Sequence, residues 1–286
     1  MIIVRINGGL GNQMFQYAAA KALAVRCGSK VGLDLRVFDG PSQFGNALNH
    51  FDITGMALPE KDLPPLRKKN KLRYLMWRSG LVGPKFVEEE GDGFDPKFSG
   101  FTKNTYLKGY WQSEKYFEGI SDVIRQEFSI TTKPSIENVQ LMKEVQSCNS
   151  VSLHIRRGDY VSDPLANATH GLCSMEYYTE SLERLAEKTG TRPQIYVFSD
   201  DAEWAKENAV FKYPTRVVSL NDGAHQYEDM RLMSLCKNNI IANSSFSWWG
   251  AWLNENSEKI VIAPKQWFQA AQKHNRDICP ASWIRI

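Results

Sequence analysis

Four polar clusters in this sequence hold residue types that act on anions and sugars. HIRRGDY (154–160) crowds a histidine, two arginines and an aspartate behind the alternating VSL. A planar guanidinium grips phosphate oxygens bidentately, so Arg156 or Arg157 is a candidate clamp for a diphosphate. The competing reading for either arginine is a salt bridge to an acidic neighbour. Strand alternation sets His154 and Arg156 on one face and Arg157 on the other.

NSSFSWWG (243–250) offers Asn243, then Ser244 and Ser245, which can cap a helix beginning near Phe246. The free backbone N–H groups of such a helix start favour an anion. Simple N-capping explains one serine but not the cluster. Trp248, Trp249 and Trp252 are expected to pack a core. GGLGNQ (8–13) supplies Gly9 and Gly11, which permit close backbone approach, and the amides of Asn12 and Gln13. It does not fit G-x-G-x-x-G, because Met14 stands where the third glycine belongs, so a tight strand-to-helix turn is the plain alternative. SDD (199–201) adds Ser199 and Asp200.

Metal ligation is not expected. No D-x-D triplet occurs, and His154 has no second histidine at ligand spacing. A diphosphate leaving group would be held by arginine and helix N-termini, with no cofactor.

These clusters need elements to position them. IIVRI (2–6) reads as a strand, a helical pattern runs from about Gln13 to a C-cap at Gly28, and KVGLDL (30–35) reads as a second strand. This is the opening of a doubly wound α/β domain. Residues 40–104 have poor periodicity. Within them KKNKLRYLMWRSG (68–80) is basic and helical in pattern, open to a solvated face or, through residues 67–78, to peripheral attachment at a membrane surface. EEEGDGFD (88–95) reads as a polar turn, lacking calcium-loop spacing. TYLKGYW (105–111) reads as a strand, helices are expected around 114–128 and 136–147, and SITTKPS (129–135) as a linker. Five further strands, 151–156, 194–199, 216–220, 239–243 and 259–263, alternate with helical segments, the pattern of a parallel sheet covered on both faces. Ligands of such sheets sit outside the strands' carboxyl ends, and each polar cluster falls at one.

The bulk numbers narrow the class. A net charge of +3 gives no electrostatic support for coating nucleic acid. Five scattered cysteines (Cys27, Cys148, Cys173, Cys236, Cys279) form no C-x-x-C pair, which argues against a disulfide framework and a thiolate zinc site. With no signal-like or transmembrane run, a reducing cytoplasm is the expected compartment, with the inner membrane face as its edge.

GGLGNQMFQYA (8–18), HIRRGDY (154–160), VFSDD (197–201) and SSFSWWGAWL (244–253) together resemble the α-1,2-fucosyltransferases, glycosyltransferase family eleven, of bacterial type. The motifs fall in family order and span nearly the whole chain. The resemblance implies a GT-B-like α/β fold, two Rossmann-like domains facing across a cleft. Residues 1–150 would form the acceptor side and 151–286 the GDP-fucose side, with a last helix as a candidate to pack back on the first domain. It implies GDP-β-L-fucose as donor and metal-free, inverting transfer of L-fucose to the 2-hydroxyl of a terminal galactose on an oligosaccharide.

Carried over by motif, Arg156 is the β-phosphate arginine, and Ser244, Ser245 and Phe246 form the phosphate-holding turn. Asp229, in YEDMRLMS, grips guanine with His154 nearby, and Asn12 lies near the sugar. A carboxylate suits guanine, accepting from both N1–H and the 2-amino group. Gly9, Gly11, Gln13, Arg157, Ser199, Asp200 and Asn243 complete the expected donor contacts. No unambiguous catalytic carboxylate aligns after the arginine motif, which leaves Asp159 and Asp163 as candidate bases. Another GDP-sugar transferase, or a catalytically silent glycan- or nucleotide-binding protein, stands beside this reading.

Overall fold

The computed structural model describes residues 1–40, 44–91, 93–270 and 276–286. The chain divides into two compact units, Met1–Thr131 with Arg276–Ile278, and Thr132–Asn275 with Cys279–Ile286.

The first unit holds β1 (Ile2–Arg5), α1 (Leu10–Arg26), β2 (Val31–Asp34), β3 (Met56–Ala57), α2 (Lys71–Arg78), β4 (Lys85–Glu88), β5 (Thr105–Lys108) and α3 (Ser121–Glu127). Its strands form one parallel sheet in the order β3-β2-β1-β5-β4. Helix α1 starts three residues earlier than its apolar pattern suggests, with Gly9 as its extended N-cap, and ends at Gly28 in the left-handed region (φ +57°), as the C-cap signal requires. Strand β1 lies between β2 and β5, so the sheet changes winding direction there, and the loops after β1 and β5 sit side by side.

The second unit holds α4 (Ile136–Ser147), β6 (Ser150–Ile155), α5 (Gly158–Ser162), α6 (Pro164–His170), α7 (Met175–Thr189), β7 (Gln194–Ser199), α8 (Ala202–Asn208), β8 (Thr215–Val218), α9 (Gln226–Leu235), β9 (Asn238–Ile240), α10 (Ser245–Trp252), β10 (Val261–Ala263) and β11 (Ile284–Arg285). Its parallel sheet runs β11-β10-β9-β6-β7-β8, with the change of direction between β6 and β9. Val151, Leu153 and Ile155 of β6 pack with Leu182 and Leu185 of α7 on one face. Tyr196 and Phe198 of β7 pack with Leu141 of α4 and Leu232 of α9 on the other. Period-two alternation therefore serves two cores, which is why these strands read as near-continuous apolar runs.

The boundary after Thr131 differs from the expected 150/151. Helix α4 carries Leu141 and Val145 into the second unit's core, so it belongs there. The end of the chain is the strand β11, where a helix was expected, and the late residues that group with the first unit are Arg276–Ile278. Strand β4 takes in the start of the expected polar turn at Glu88, and Asp92 of that turn lies outside the described residues.

Candidate functional site

The second unit gathers its polar clusters at the carboxyl ends of β6, β7 and β9. Arg156 leaves β6 on the same face as His154, and two carboxylates hold it: Nη2 donates to Asp159 at 2.5 Å, and Nη1 lies 2.7 Å from Asp200. Its guanidinium sits 5.3 Å from the Tyr160 ring centroid, and the Tyr160 hydroxyl donates to the Asn243 carbonyl at 3.3 Å, tying the β6 end to the β9 end. Arg157 turns to the opposite side, as alternation requires. It lies 3.8 Å from the Trp204 ring centroid and donates from Nε to Asp201 at 3.1 Å. Its backbone N–H donates to Asp200 at 2.8 Å. A Cβ at Gly158 would collide with Asp200 Oδ2, so any side chain there would displace the carboxylate that holds Arg156.

Both arginines make the salt bridges that formed the competing reading. Two arginines stand against Asp159, Asp200 and Asp201, so the cluster is not net cationic. An anion would be held by the directed N–H groups that Arg156 retains beyond its two ion pairs.

His154 is buried, and its ring centroid lies 5.6 Å from that of Phe246 in the first turn of α10. Burial, then the nearby Arg156 charge, push its pKa down to about 3, so the ring is neutral. Its Nδ1 is a buried atom without a hydrogen-bond partner. Ser244 takes the N-cap position of α10 with extended backbone, but its side chain makes no capping bond, contrary to the simple capping reading. Ser245 and Phe246 open the helix, whose N-terminus faces the change of direction between β6 and β9. Trp248, Trp249 and Trp252 are buried and pack on one another, the core role expected of them.

Ser199 accepts from the Asp201 N–H at 3.1 Å and so shapes the β7–α8 turn. Asp229, in the first turn of α9, accepts from Asn221 at 2.7 Å, and Asn221 exchanges hydrogen bonds with Asn138. Burial is the main cause that raises the Asp229 pKa to about 7; Asn221 opposes it and Glu228 adds to it.

Asn243 was expected to touch the donor, but its amide is occupied elsewhere. Nδ2 donates to the carbonyls of His170 at 2.8 Å, Trp267 at 3.2 Å and Gly171 at 3.3 Å. It fastens the loops around α6 to the end of β9. Asp163, a candidate base, caps α6 by accepting from the Leu165 N–H at 2.8 Å.

In the first unit, Gly8 adopts φ +78° and turns β1 into α1. A Cβ on Gly9 would lie 3.5 Å from the Phe44 ring, an ordinary contact, so Gly9 is not sterically required there. Gly11 lies in the first turn of α1. Gln13 is buried as a brace: Nε2 donates to the Gly8 and Gly45 carbonyls, both at 2.8 Å, and Oε1 accepts from the Ala47 N–H at 3.0 Å. It shapes the glycine turn in place of offering its amide to a ligand. Asn12 accepts from Gln112 at 2.8 Å, across the change of direction between β1 and β5.

Gln112, Asn221, Asn138 and Tyr160 were not singled out from sequence. Gln112 and Asn221 do follow strands β5 and β8 closely, so the strand-end rule applied to every strand would have flagged them. Among the described residues, no three of His, Cys, Asp and Glu gather where they could hold a metal ion.

The model of the family described as Glycosyl transferase family 11 matches residues 62–286. An alpha-1,2-colitosyltransferase of Escherichia coli is 38% identical over 100% of this chain and 99% of its own length. The O-antigen biosynthesis glycosyltransferase WbnK of Escherichia coli is 34% identical over 98% and 99%. The human galactoside alpha-(1,2)-fucosyltransferase 1 is 27% identical over 86% of this chain and 64% of its own. The fold is similar to that of the NodZ alpha-1,6-fucosyltransferase soaked with GDP-fucose, with a TM-score of 0.51, 17% identity, and coverage of 88% of this chain and 92% of that one. The mixed α/β class with parallel sheets, that of the GT-B fucosyltransferases, is the one expected.

Proposed function

The chain belongs to glycosyl transferase family 11, and we propose that it transfers L-fucose from GDP-β-L-fucose to the 2-hydroxyl of a terminal galactose, with inversion and without a metal ion. The observation that carries this reading is Arg156, aimed by two carboxylates at the carboxyl end of β6, beside the strand that leads into the N-terminus of α10. As the fucose–phosphate bond breaks, negative charge grows on the β-phosphate. A fixed guanidinium and backbone N–H groups stabilise that charge without reorganising. Asp229 then accepts from the guanine edge, and the unpartnered Nδ1 of buried His154 supplies a further polar contact. In the first unit, Asn12, oriented by Gln112, is assigned to the sugar.

One relative supports a second donor. The 38% identical protein is an alpha-1,2-colitosyltransferase, and colitose is fucose without its 3-hydroxyl, so the same phosphate clamp serves either sugar.

The test is to incubate the protein with lactose and GDP-fucose, GDP-colitose or GDP-mannose, following GDP release and identifying the linkage by NMR. Release with GDP-fucose, an α-1,2 product and undiminished rate in EDTA are expected. Turnover with GDP-colitose alone moves the assignment to the second donor. GDP binding without turnover of any donor would make the protein a silent binder. Activity lost in EDTA and restored by magnesium or manganese would overturn the metal-free mechanism.

A further inference from the structure

Helix α2 has two apolar faces, and the fold uses only one. Trp77 is 4% exposed, meets Phe86 and Tyr106 edge-on at 5.1 Å each, and donates from Nε1 to the Pro84 carbonyl at 2.8 Å. Tyr74, one turn back, packs against it. That pair anchors the helix to the first unit. Leu72, Leu75 and Met76 stand at i, i+3 and i+4, on the opposite side, and are 71%, 51% and 37% exposed. Leu81, just beyond the helix, is 73% exposed. Four large apolar side chains so close together on a water-facing surface are costly to leave uncovered.

The stretch of chain that carries this patch has charge of one sign. Residues 63–87 contain Arg67, Lys68, Lys69, Lys71, Arg73, Arg78 and Lys85 and no aspartate or glutamate. Lys69 pairs with Glu60 and Arg78 with Glu88. Arg67, Lys68, Lys71 and Arg73 form no ion pair among the described residues. On the helix, Arg73 flanks the exposed apolar face on one side and Lys71 and Arg78 on the other. A helix of this design lies in the plane of an anionic lipid surface: the leucines enter the acyl boundary while the long basic side chains reach the headgroups.

We infer that α2 with its flanks, residues 66–81, docks this protein peripherally on a membrane carrying anionic lipid. Self-association through the same face would oppose one row of cations to an identical row, so like charge disfavours a second copy. Nucleic acid would answer the charge but leave the leucines uncovered. The surface is separate from the residues assigned to donor binding, so its failure and theirs are distinguishable.

The experiment is co-sedimentation of the full chain with vesicles of phosphatidylcholine alone or mixed with phosphatidylglycerol, at low and high salt. Binding is expected on the mixed vesicles, weakening with salt. Leu72→Ser with Leu75→Ser should reduce partitioning at least about tenfold. Replacing Arg67, Lys68, Lys71 and Arg73 by Gln should reduce it by roughly 600-fold, since each basic residue near the surface contributes roughly fivefold. Both variants should transfer sugar to soluble lactose as the parent does, which confirms that they fold. Equal binding to both vesicle types, or to neither, would overturn the inference. So would a dimer in ultracentrifugation that Leu75→Glu dissociates while no vesicle is bound.

Discussion

Asp200 Oδ2 lies 2.7 Å from Arg156 Nη1, so a residue from the end of β7 aims the arginine at the end of β6. The same carboxylate accepts the Arg157 N–H at 2.8 Å and would collide with any side chain at position 158. If Arg156 stabilises the departing phosphate, Arg156→Ala should lower turnover at least about 10³-fold, and Arg156→Lys should recover only part, lacking the bidentate geometry. Gly158→Ala should act through Asp200 alone, lowering kcat by on the order of 10–10² while GDP still binds, because small misplacements of a catalytic group are costly. Normal kcat in Gly158→Ala, with the fold intact by circular dichroism, would dismiss Asp200 as the positioning residue.

Asp159 is placed as the other arm of that grip. A general base contributes about 10² to 10⁴-fold in rate. Because its Oδ1 is committed to Arg156 at 2.5 Å, Asp159→Asn should cost about tenfold or less, with the pH–rate profile unchanged in shape. A loss beyond 10²-fold with the acidic limb abolished would return Asp159 to the role of base.

Asp229 predicts a pH dependence of nucleotide affinity. With its pKa raised to about 7, chiefly by burial, the ligand-free protein holds a proton there below that pH, and guanine must displace it. GDP affinity should fall about tenfold per pH unit as pH drops well below 7, and calorimetry near pH 6 in two buffers should detect proton release. Asp229→Asn should abolish the dependence and raise the dissociation constant about tenfold or more above pH 7. The sign for stability is the reverse. A raised carboxyl binds its proton more tightly when folded, so its contribution falls as pH rises from about 4 through 7, and Asp229→Asn should gain Tm only at the upper end. A pH-independent GDP affinity would remove Asp229 from the site.

Asn243 separates scaffold from ligand contact. Its amide ties three carbonyls, so Asn243→Ala should cost roughly 1 to 3 kcal/mol through unsatisfied buried groups, while the GDP dissociation constant stays within about twofold. A tenfold rise in that constant at unchanged Tm would identify Asn243 as a donor contact.

Sequence alone determined the β1-α1-β2 opening of the first sheet and five of the six strands of the second, because alternating apolar strands and capped helices are local signals, whereas β3, β4 and β11 are too short or too exposed to carry one. Ser135 and Ser174 cap α4 and α7, and Gly28 and Gly190 close α1 and α7 in the left-handed region. It also determined which residue types meet at the strand ends, and the faces of His154, Arg156 and Arg157, since strand alternation fixes direction before any packing. Only the tertiary structure decided what each group is bonded to. The acidic partners of Arg156 and Arg157 at positions 200 and 201 are more than forty residues away in sequence. The Gln13 brace to Gly45 and Ala47 depends on loops with no periodic signature, and the Asn12–Gln112 bond spans 100 positions. Hydrogen bonds between distant loops follow from how the sheet winds, and winding belongs to the whole chain. For the same reason the basic stretch 68–80 was legible as a helix, while the side its leucines face was settled only when Trp77 found its partners in β4 and β5.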